Sequence, residues 1–399
     1  MTDLQQKDFF EDLHRETLAF SRMEPELELT VRDPALDVEG YVVVWNAPEP
    51  ACVGKGGTRV TPTVTIDEVR MLARTMALKN AAAGLPLGGA KSGIRANPNT
   101  PGFKQQFQSI ARRFAPLFPE HGGPFGGLGF DLGGRAEFVD WFIEETGLPH
   151  RFTGKPASQG GTDYDVEGIA GLGVAVSARS ALEARGGTAQ GATFAVQGLG
   201  AMGSGVVRYF AEYGGVLRWL SDKRVGGSWE LPESLDDSAR ADVVKAVTAM
   251  DLELLNDVLA THGKRIGSPQ DVLYQKADVL FPCAVHDVIH QGNVEQVHAS
   301  ILAEGANGPC TAETREILQG RDVLVLPDFL ANSGGIIAAH VEMTSDAEDK
   351  ISLAKQRTIE TIDTNVRAVV ATSDRLSVTP YQAAMSLALG RVFGRVPTT

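Results

Sequence analysis

Cysteine is scarce in this 399-residue chain. Cys52, Cys283 and Cys310 are too few and too far apart for a disulfide scaffold, which points to a reducing, cytoplasmic setting. Long apolar runs are missing too. None approaches the roughly 18 residues needed to cross a bilayer, and Met1-Thr2-Asp3-Leu4-Gln5 has neither the basic nor the apolar part of a secretory signal. Positive charge is outweighed: 37 Lys and Arg face 50 Asp and Glu, a net charge of −13. That balance argues against a nucleic-acid protein, which needs a basic stripe to meet phosphates, but leaves room for a local cationic pocket. No internal repeat or low-complexity block is present. Trp45, Trp141, Trp219 and Trp229 form no ladder interleaved with basic residues.

What the chain does have is glycine, at 44 positions, and 43% hydrophobic residues. It is long enough for two substantial cores. Residues 1–185 carry short strand-like runs, such as Gly40 to Trp45, followed by helices. Thr65-Ile66-Asp67-Glu68 resembles a capping box. Val69, Leu72, Met76 and Lys79 then follow at helical spacing, which sets a lysine on an apolar stripe. Gly186-Gly187 marks the expected domain boundary. Over 186–345, strands at 193–197, 216–220, 278–282, 300–304 and 322–326 alternate with helices, implying a mostly parallel sheet covered on both faces. Gly226 to Asp237 reads as a surface loop. From about 346 to 399 two helical patterns, separated near Val378-Thr379-Pro380, return to brace the first domain. The fold class is therefore α/β in two domains.

Thr193 to Gln197 is a strand candidate, followed by Gly198-Leu199-Gly200-Ala201-Met202-Gly203 and a helix bearing Val206, Val207 and Phe210. This strand, turn and helix suits a dinucleotide. Side chains at the first two glycines would obstruct the tight turn or the pyrophosphate, and the third glycine lets helix and strand pack closely. The helix start offers N–H groups to phosphate. Asp222 ends the next strand where a carboxylate can accept ribose hydroxyls, favouring NAD. Lys223 and Arg224 follow at once and would suit the 2′-phosphate of NADP, so both cofactors stay open. Asp222 also reads as a solvated turn residue.

Lysines gather ahead of this fold, in Lys55-Gly56-Gly57-Thr58-Arg59, at Lys79, and in Leu85-Pro86-Leu87-Gly88-Gly89-Ala90-Lys91-Ser92-Gly93. Glycines beside Lys55 and Lys91 let backbone approach a small ligand. An unpaired Lys79 on an apolar stripe would be costly. Together the three form a cationic site for a carboxylate. Asp131 lies in Gly126-Gly127-Leu128-Gly129-Phe130-Asp131-Leu132-Gly133-Gly134 and reads equally as a turn acid or a base.

In these motifs the chain resembles the glutamate, leucine, phenylalanine and valine dehydrogenases. Met76-Ala77-Leu78-Lys79-Asn80-Ala81, Thr153-Gly154-Lys155-Pro156, Glu304-Gly305-Ala306-Asn307-Gly308-Pro309 and Pro327-Asp328-Phe329-Leu330-Ala331-Asn332-Ser333-Gly334-Gly335 follow in the same order. The resemblance implies an N-terminal assembly and substrate domain, a Rossmann-like nucleotide domain and a substrate cleft between them. It implies NAD- or NADP-dependent oxidative deamination of an L-amino acid to its 2-oxo acid and ammonia, by a homo-oligomer, with a hexamer favoured. By the same resemblance Lys79 binds the α-carboxylate, Lys91 is the catalytic lysine and Asp131 handles protons at the amino nitrogen. Ala306 and Asn307 line the nicotinamide side, with Asn332 nearby. Like-charge repulsion from Lys79 would lower the pKa of Lys91.

Lys55 resembles the lysine that holds the distal carboxylate in the glutamate enzymes, which favours glutamate. Ala339 stands where those enzymes place a serine hydroxyl, and this weakens that preference. The segment 160–171 departs as well: it lacks the family's arginine and has Ala170 in place of a threonine that seats the nicotinamide amide. Alternatives are a dehydrogenase for another amino acid and a catalytically silent nucleotide-binding relative. Cys283, His286 and His290, with the two histidines four apart on an expected helix, make no convincing metal set. The acidic stretch from Glu342 to Lys350 reads as a solvated helix surface.

Overall fold

The computed structural model describes residues 3–45 and 53–396; Cys52 lies outside them. The chain divides into two compact units. The first comprises the residues up to Asp163, then Ile336–Ala354 and the residues from Met385. The second comprises Tyr164–Gly335 and Lys355–Ala384.

In chain order the first unit contains α1 (Asp3–Arg22), β1 (Leu27–Asp33), β2 (Val38–Trp45), β3 (Gly54–Lys55), β4 (Thr58–Thr61), α2 (Ile66–Ala82), β5 (Gly88–Arg95), α3 (Phe103–Phe114), β6 (Leu128–Gly129), α4 (Glu137–Thr146) and β7 (Phe152–Thr153). β5 is the hub of its sheet. It pairs antiparallel with β2 and parallel with β3 and β4, while β1 pairs antiparallel with β2. Strand alternation sorts its side chains. Ala90 and Ile94 enter a core with Phe103, Phe107, Ile110, Phe114, Phe138, Phe142 and Phe152. Gly89, Lys91 and Gly93 turn to the other face, against α2. A Cβ on Gly89 would lie 2.2 Å from the Ala73 carbonyl oxygen. That packing, rather than a ligand, requires glycine there. Thr65 caps α2 by accepting the Glu68 N–H at 3.3 Å.

The second unit contains α5 (Ile169–Ala184), β8 (Thr193–Gln197), α6 (Ala201–Glu212), β9 (Val216–Asp222), β10 (Gly227–Glu230), α7 (Asp237–Thr248), α8 (Leu252–His262), β11 (Lys264–Gly267), β12 (Val279–Pro282), β13 (Ile301–Ala303), α9 (Ala312–Gly320), β14 (Leu324–Leu326) and α10 (Asp328–Ala331). Its sheet order is β11-β10-β9-β8-β12-β13-β14. β9, β8, β12, β13 and β14 run parallel, as expected, while β10 and β11 add an antiparallel edge. The surface loop expected over 226–237 is thus partly a strand, because Ser228 and Trp229 pair with Ser221 and Leu220 of β9.

The remaining helices are α11 (Gly334–Thr344), α12 (Lys350–Leu376) and α13 (Pro380–Val392). The chain returns to the first unit through most of α11 and again late in α13, where Arg391 donates to the carbonyls of Ala81 and Ala82 at the end of α2. Most of α12 belongs to the second unit. The unit boundary falls at 163–164 rather than at Gly186-Gly187. The cause is α5, which packs on α6: a Cβ on Gly171 would lie 2.6 Å from the Val206 nitrogen. No helix among the described residues is long and apolar enough to cross a membrane.

Candidate active site

In the first unit, β5 carries Lys91 and the loop after β6 carries Asp131. Lys91 is 6% exposed, and its Nζ lies 3.0 Å from Asp131 Oδ2. Arg59 of β4 donates from Nε to the same oxygen at 3.0 Å and from Nη1 to Glu68 Oε1 at 2.5 Å. Glu68 therefore turns its carboxylate to Arg59, and only the threonine half of the capping box is seen. Burial lowers the pKa of Lys91, opposed by Asp131, and Arg59 is the cation that adds to the lowering. Lys79, from which that repulsion was expected, is not among the largest causes of the shift. Burial pushes the Asp131 carboxyl up, but Lys91 and Arg59 outweigh it and keep the group below its ordinary value. The result is a lysine drawn toward its neutral form beside an ionised carboxylate.

Lys79 is half-buried on α2. The next residue, Asn80, donates to the Lys55 carbonyl at 3.2 Å and the Gly88 carbonyl at 2.7 Å, which ties α2 to the lysine-bearing strands. Lys55 is 1% exposed and donates to the carbonyls of Leu128 at 2.7 Å, Gly56 at 3.2 Å and Gly127 at 3.3 Å. Burial lowers its pKa to about 7; Glu342 opposes this, while Lys155, Lys91 and Arg151 reinforce it.

Glu342 was not expected in the interior. It is buried on α11, paired with the Lys155 ammonium, and it accepts the Gly154 N–H at 3.0 Å and the N–H and hydroxyl of Thr162 at 3.2 and 3.1 Å. Its neighbours Asp346, Glu348 and Asp349 are exposed. Ala339, one turn earlier on α11, is buried and offers no donor. The charge run alone hid Glu342, although the position one helical turn after Ala339 was a usable signal.

In the second unit the Gly198–Gly203 turn joins β8 to α6. Gly198 has φ +86°, and a Cβ on Gly203 would lie 1.8 Å from the Gly198 carbonyl oxygen, so the fold itself demands both glycines. Gly200 is different. Among the described residues nothing lies within 4 Å of where its Cβ would be, and no side chain caps the exposed start of α6. Open space above free N–H groups fits a pyrophosphate. Ala201 is exposed and Met202 half-buried beside it. Met202 Cγ would lie 3.3 Å from a Cβ on Gly305, which sets the 305–307 turn next to this helix start. Asn332 donates to the Gly305 carbonyl and Asn307 Oδ1, both at 3.0 Å, and its buried Oδ1 has no partner among the described residues. That orphaned acceptor, with Ala306 and exposed Asn307, suits a carboxamide.

Asp222 clasps the same turn. It accepts the Leu199 N–H at 2.8 Å and the Arg224 N–H at 2.9 Å, and Arg224 pairs with it from Nε and Nη2 at 2.9 and 3.0 Å. Burial pushes its carboxyl up, but the bonds to Arg224 and the backbone outweigh that and hold it at about 2. Lys223 is exposed. His286 and His290 do not lie on a helix, and among the described residues no three His, Cys, Asp or Glu could hold a metal.

Such a sheet and turn, with an ion-paired lysine and aspartate on the other unit, define a nicotinamide-dependent dehydrogenase. The chain belongs to the glutamate/leucine/phenylalanine/valine dehydrogenase family, whose description matches residues 160–396, while the Glu/Leu/Phe/Val dehydrogenase dimerisation domain matches residues 26–146. It is an NAD(P)-dependent amino-acid dehydrogenase acting on a CH–NH2 donor. Glutamate dehydrogenase of Aeropyrum pernix is 32% identical over 374 residues, covering 88% of this chain and 84% of that one. Glutamate dehydrogenase of Thermotoga maritima is 33% identical over 368 residues, with 88% and 84% covered. The crystal structure of hetero-hexameric glutamate dehydrogenase from Thermus thermophilus, in a Leu-bound form, superposes with a TM-score of 0.77 at 25% identity, covering 99% of this chain and 97% of that chain.

Gly200→Val is expected to fold normally, because the backbone there has φ −71° and open space around it. It should weaken reduced-cofactor binding by about tenfold or more, read by nicotinamide fluorescence titration.

Proposed function

We propose that the substrate is glutamate, oxidatively deaminated to its 2-oxo acid and ammonia, and that Lys55 holds its distal carboxylate. The observation that carries this reading is the Lys55 ammonium, 1% exposed in an acidic protein and drawn down to about 7. A carboxylate ligand would restore the charge that burial opposes. Lys79 receives the α-carboxylate. Asp131, ionised beside Lys91 and Arg59, accepts a proton from the substrate ammonium. Gly198, Gly200, Ala201, Met202 and Gly203, with Asp222, Lys223, Ala306 and Asn307, would hold the nicotinamide cofactor, which would supply the hydride acceptor needed when the Cα–H bond breaks. Lys91, lowered by burial, activates the water that adds to the imine carbon before the C–N bond breaks. Asn332 orients the carboxamide end.

A second reading, a less acidic amino acid, is favoured by Ala339, and by the three Lys55 protons that already have carbonyl acceptors. A panel of amino acids, each with NAD and with NADP, followed at the absorbance of the reduced nicotinamide, separates the two. Highest kcat/KM with glutamate supports the first; an apolar amino acid at the top overturns it. Ala339→Ser should then raise kcat/KM for glutamate by about tenfold, since it adds a donor beside a buried charge. The assembly is read as a homo-hexamer: the dimerisation-domain match supports self-association, the hetero-hexameric Thermus relative supports the number of subunits, and light-scattering mass tests it.

A further inference from the structure

Glu304 follows β13 as a carboxylate with no exposed surface, and none of the proton or hydride work above uses it. Its partners tie three segments together. Arg315 of α9 donates from Nη2 to both oxygens at 3.1 and 3.3 Å. The Cys310 N–H donates to Oε1 at 3.3 Å, and the Asp328 N–H at the start of α10 donates to Oε2 at 2.9 Å. Asp328 in turn accepts the Gly308 N–H at 2.9 Å. The 305–310 turn is thus gripped at its end by Glu304, in its middle by Asp328 and at its start by Asn332. Every hydrogen-bond partner of the Glu304 carboxylate among the described residues is a donor. A protonated carboxyl would turn an O–H toward groups that cannot accept it.

We propose that Glu304 is a positioning residue for the nicotinamide end of the cofactor: its carboxylate fixes the 305–310 turn against the start of α10, and so presents Ala306, Asn307 and Asn332 to the ring. The proposal rests on the cofactor reading above. Four groups face Glu304 from the elements around it: Arg315 from α9, Cys310 from the turn, Asp328 from α10 and Tyr381 from α13, whose ring lies 4.6 Å from the Arg315 guanidinium. Burial pushes the Glu304 carboxyl up to about 7, opposed by Arg315 and reinforced by Asp328. The ionised form makes the clamp. Reduced cofactor should therefore bind tightly above that pH and more weakly as pH falls through it.

The test is fluorescence titration of the whole protein with NADH or NADPH, whichever supports turnover, between pH 6 and pH 8.5. The matching ADP-ribose, which lacks nicotinamide, serves as a second probe. In the unaltered protein only the reduced cofactor should show the pH step. Glu304→Gln should bind reduced cofactor about tenfold more weakly at pH 8.5, the loss of one charge-assisted contact, with the step gone and ADP-ribose affinity kept. Equal affinity, a retained step or equal loss of both probes overturns the proposal. If Glu304→Gln does not fold, Arg315→Gln should move the step to higher pH, and an unmoved step overturns it. An unaltered protein that binds neither probe instead refutes the cofactor reading itself, and the proposal with it.

Discussion

Lys91→Ala is expected to lower kcat about 10^2- to 10^4-fold, the range for a lost general acid–base group, while reduced-cofactor affinity stays close to that of the unaltered protein. The amine lies 3.0 Å from Asp131 and is 6% exposed, so water cannot readily replace it. Lys91→Arg is the informative companion. It keeps a cation beside Asp131 but cannot give up its proton in the working range. Activity in the arginine variant would mean that charge alone is needed. Burial places the Lys91 pKa below the ordinary value of 10.5. A neutral lysine is needed as base, so kcat/KM should rise with pH along a limb below that value, and the limb should vanish in the alanine variant. Steady-state rates and cofactor titration decide the matter; turnover within a few-fold of the unaltered enzyme ends the assignment.

Glu342→Gln is expected to destabilise the first unit by about 3–5 kcal/mol, because it leaves the buried Lys155 ammonium without its counter-ion. The carboxylate and ammonium are each 3% exposed, and the same carboxylate gathers the N–H groups of Gly154 and Thr162. Glutamine retains one acceptor for those groups but no charge. Adding Lys155→Met should recover much of the loss, since both charges are then gone. Denaturant unfolding of the four proteins in the cycle measures the coupling. Independent, additive losses would show that the pair contributes little. Glu342 also opposes the lowering of Lys55, so Glu342→Gln should raise the KM for glutamate if Lys55 holds the distal carboxylate.

The segments that were legible from the sequence are those whose signal is local. The stripe Val69, Leu72, Met76 and Lys79 is a helix from Ile66 to Ala82 because side chains three and four apart share a face. The glycines at 198–203 were readable for the same reason: strand, turn and helix lie within one short stretch. Gly226 to Asp237 misled because its polar, glycine-rich composition resembles a loop, while its hydrogen bonds come from a neighbouring strand. His286 and His290 misled through spacing alone, since four residues place two side chains together only when the backbone is helical.

The lysine and aspartate proposed for catalysis, Lys91 and Asp131, could be named from motif order, but not the reason for their electrostatics. Arg59 appeared in its motif without a role and proves to be the second cation on Asp131. The glycines around Lys91 suggested ligand access, whereas Gly89 is required by the approach of α2.

By itself the sequence determined the α/β class, the order of the strands along the chain and the residue types offered to an amino acid and a dinucleotide. Local periodicity and turn chemistry act over a few residues, so they survive without a fold. Only tertiary structure decided which charges are buried and which are answered. Lys155 meets Glu342 across 187 positions of chain, and Lys55 meets the Leu128 carbonyl across 73. Desolvation and ion pairing depend on what surrounds a group in space, and chain order carries no measure of that.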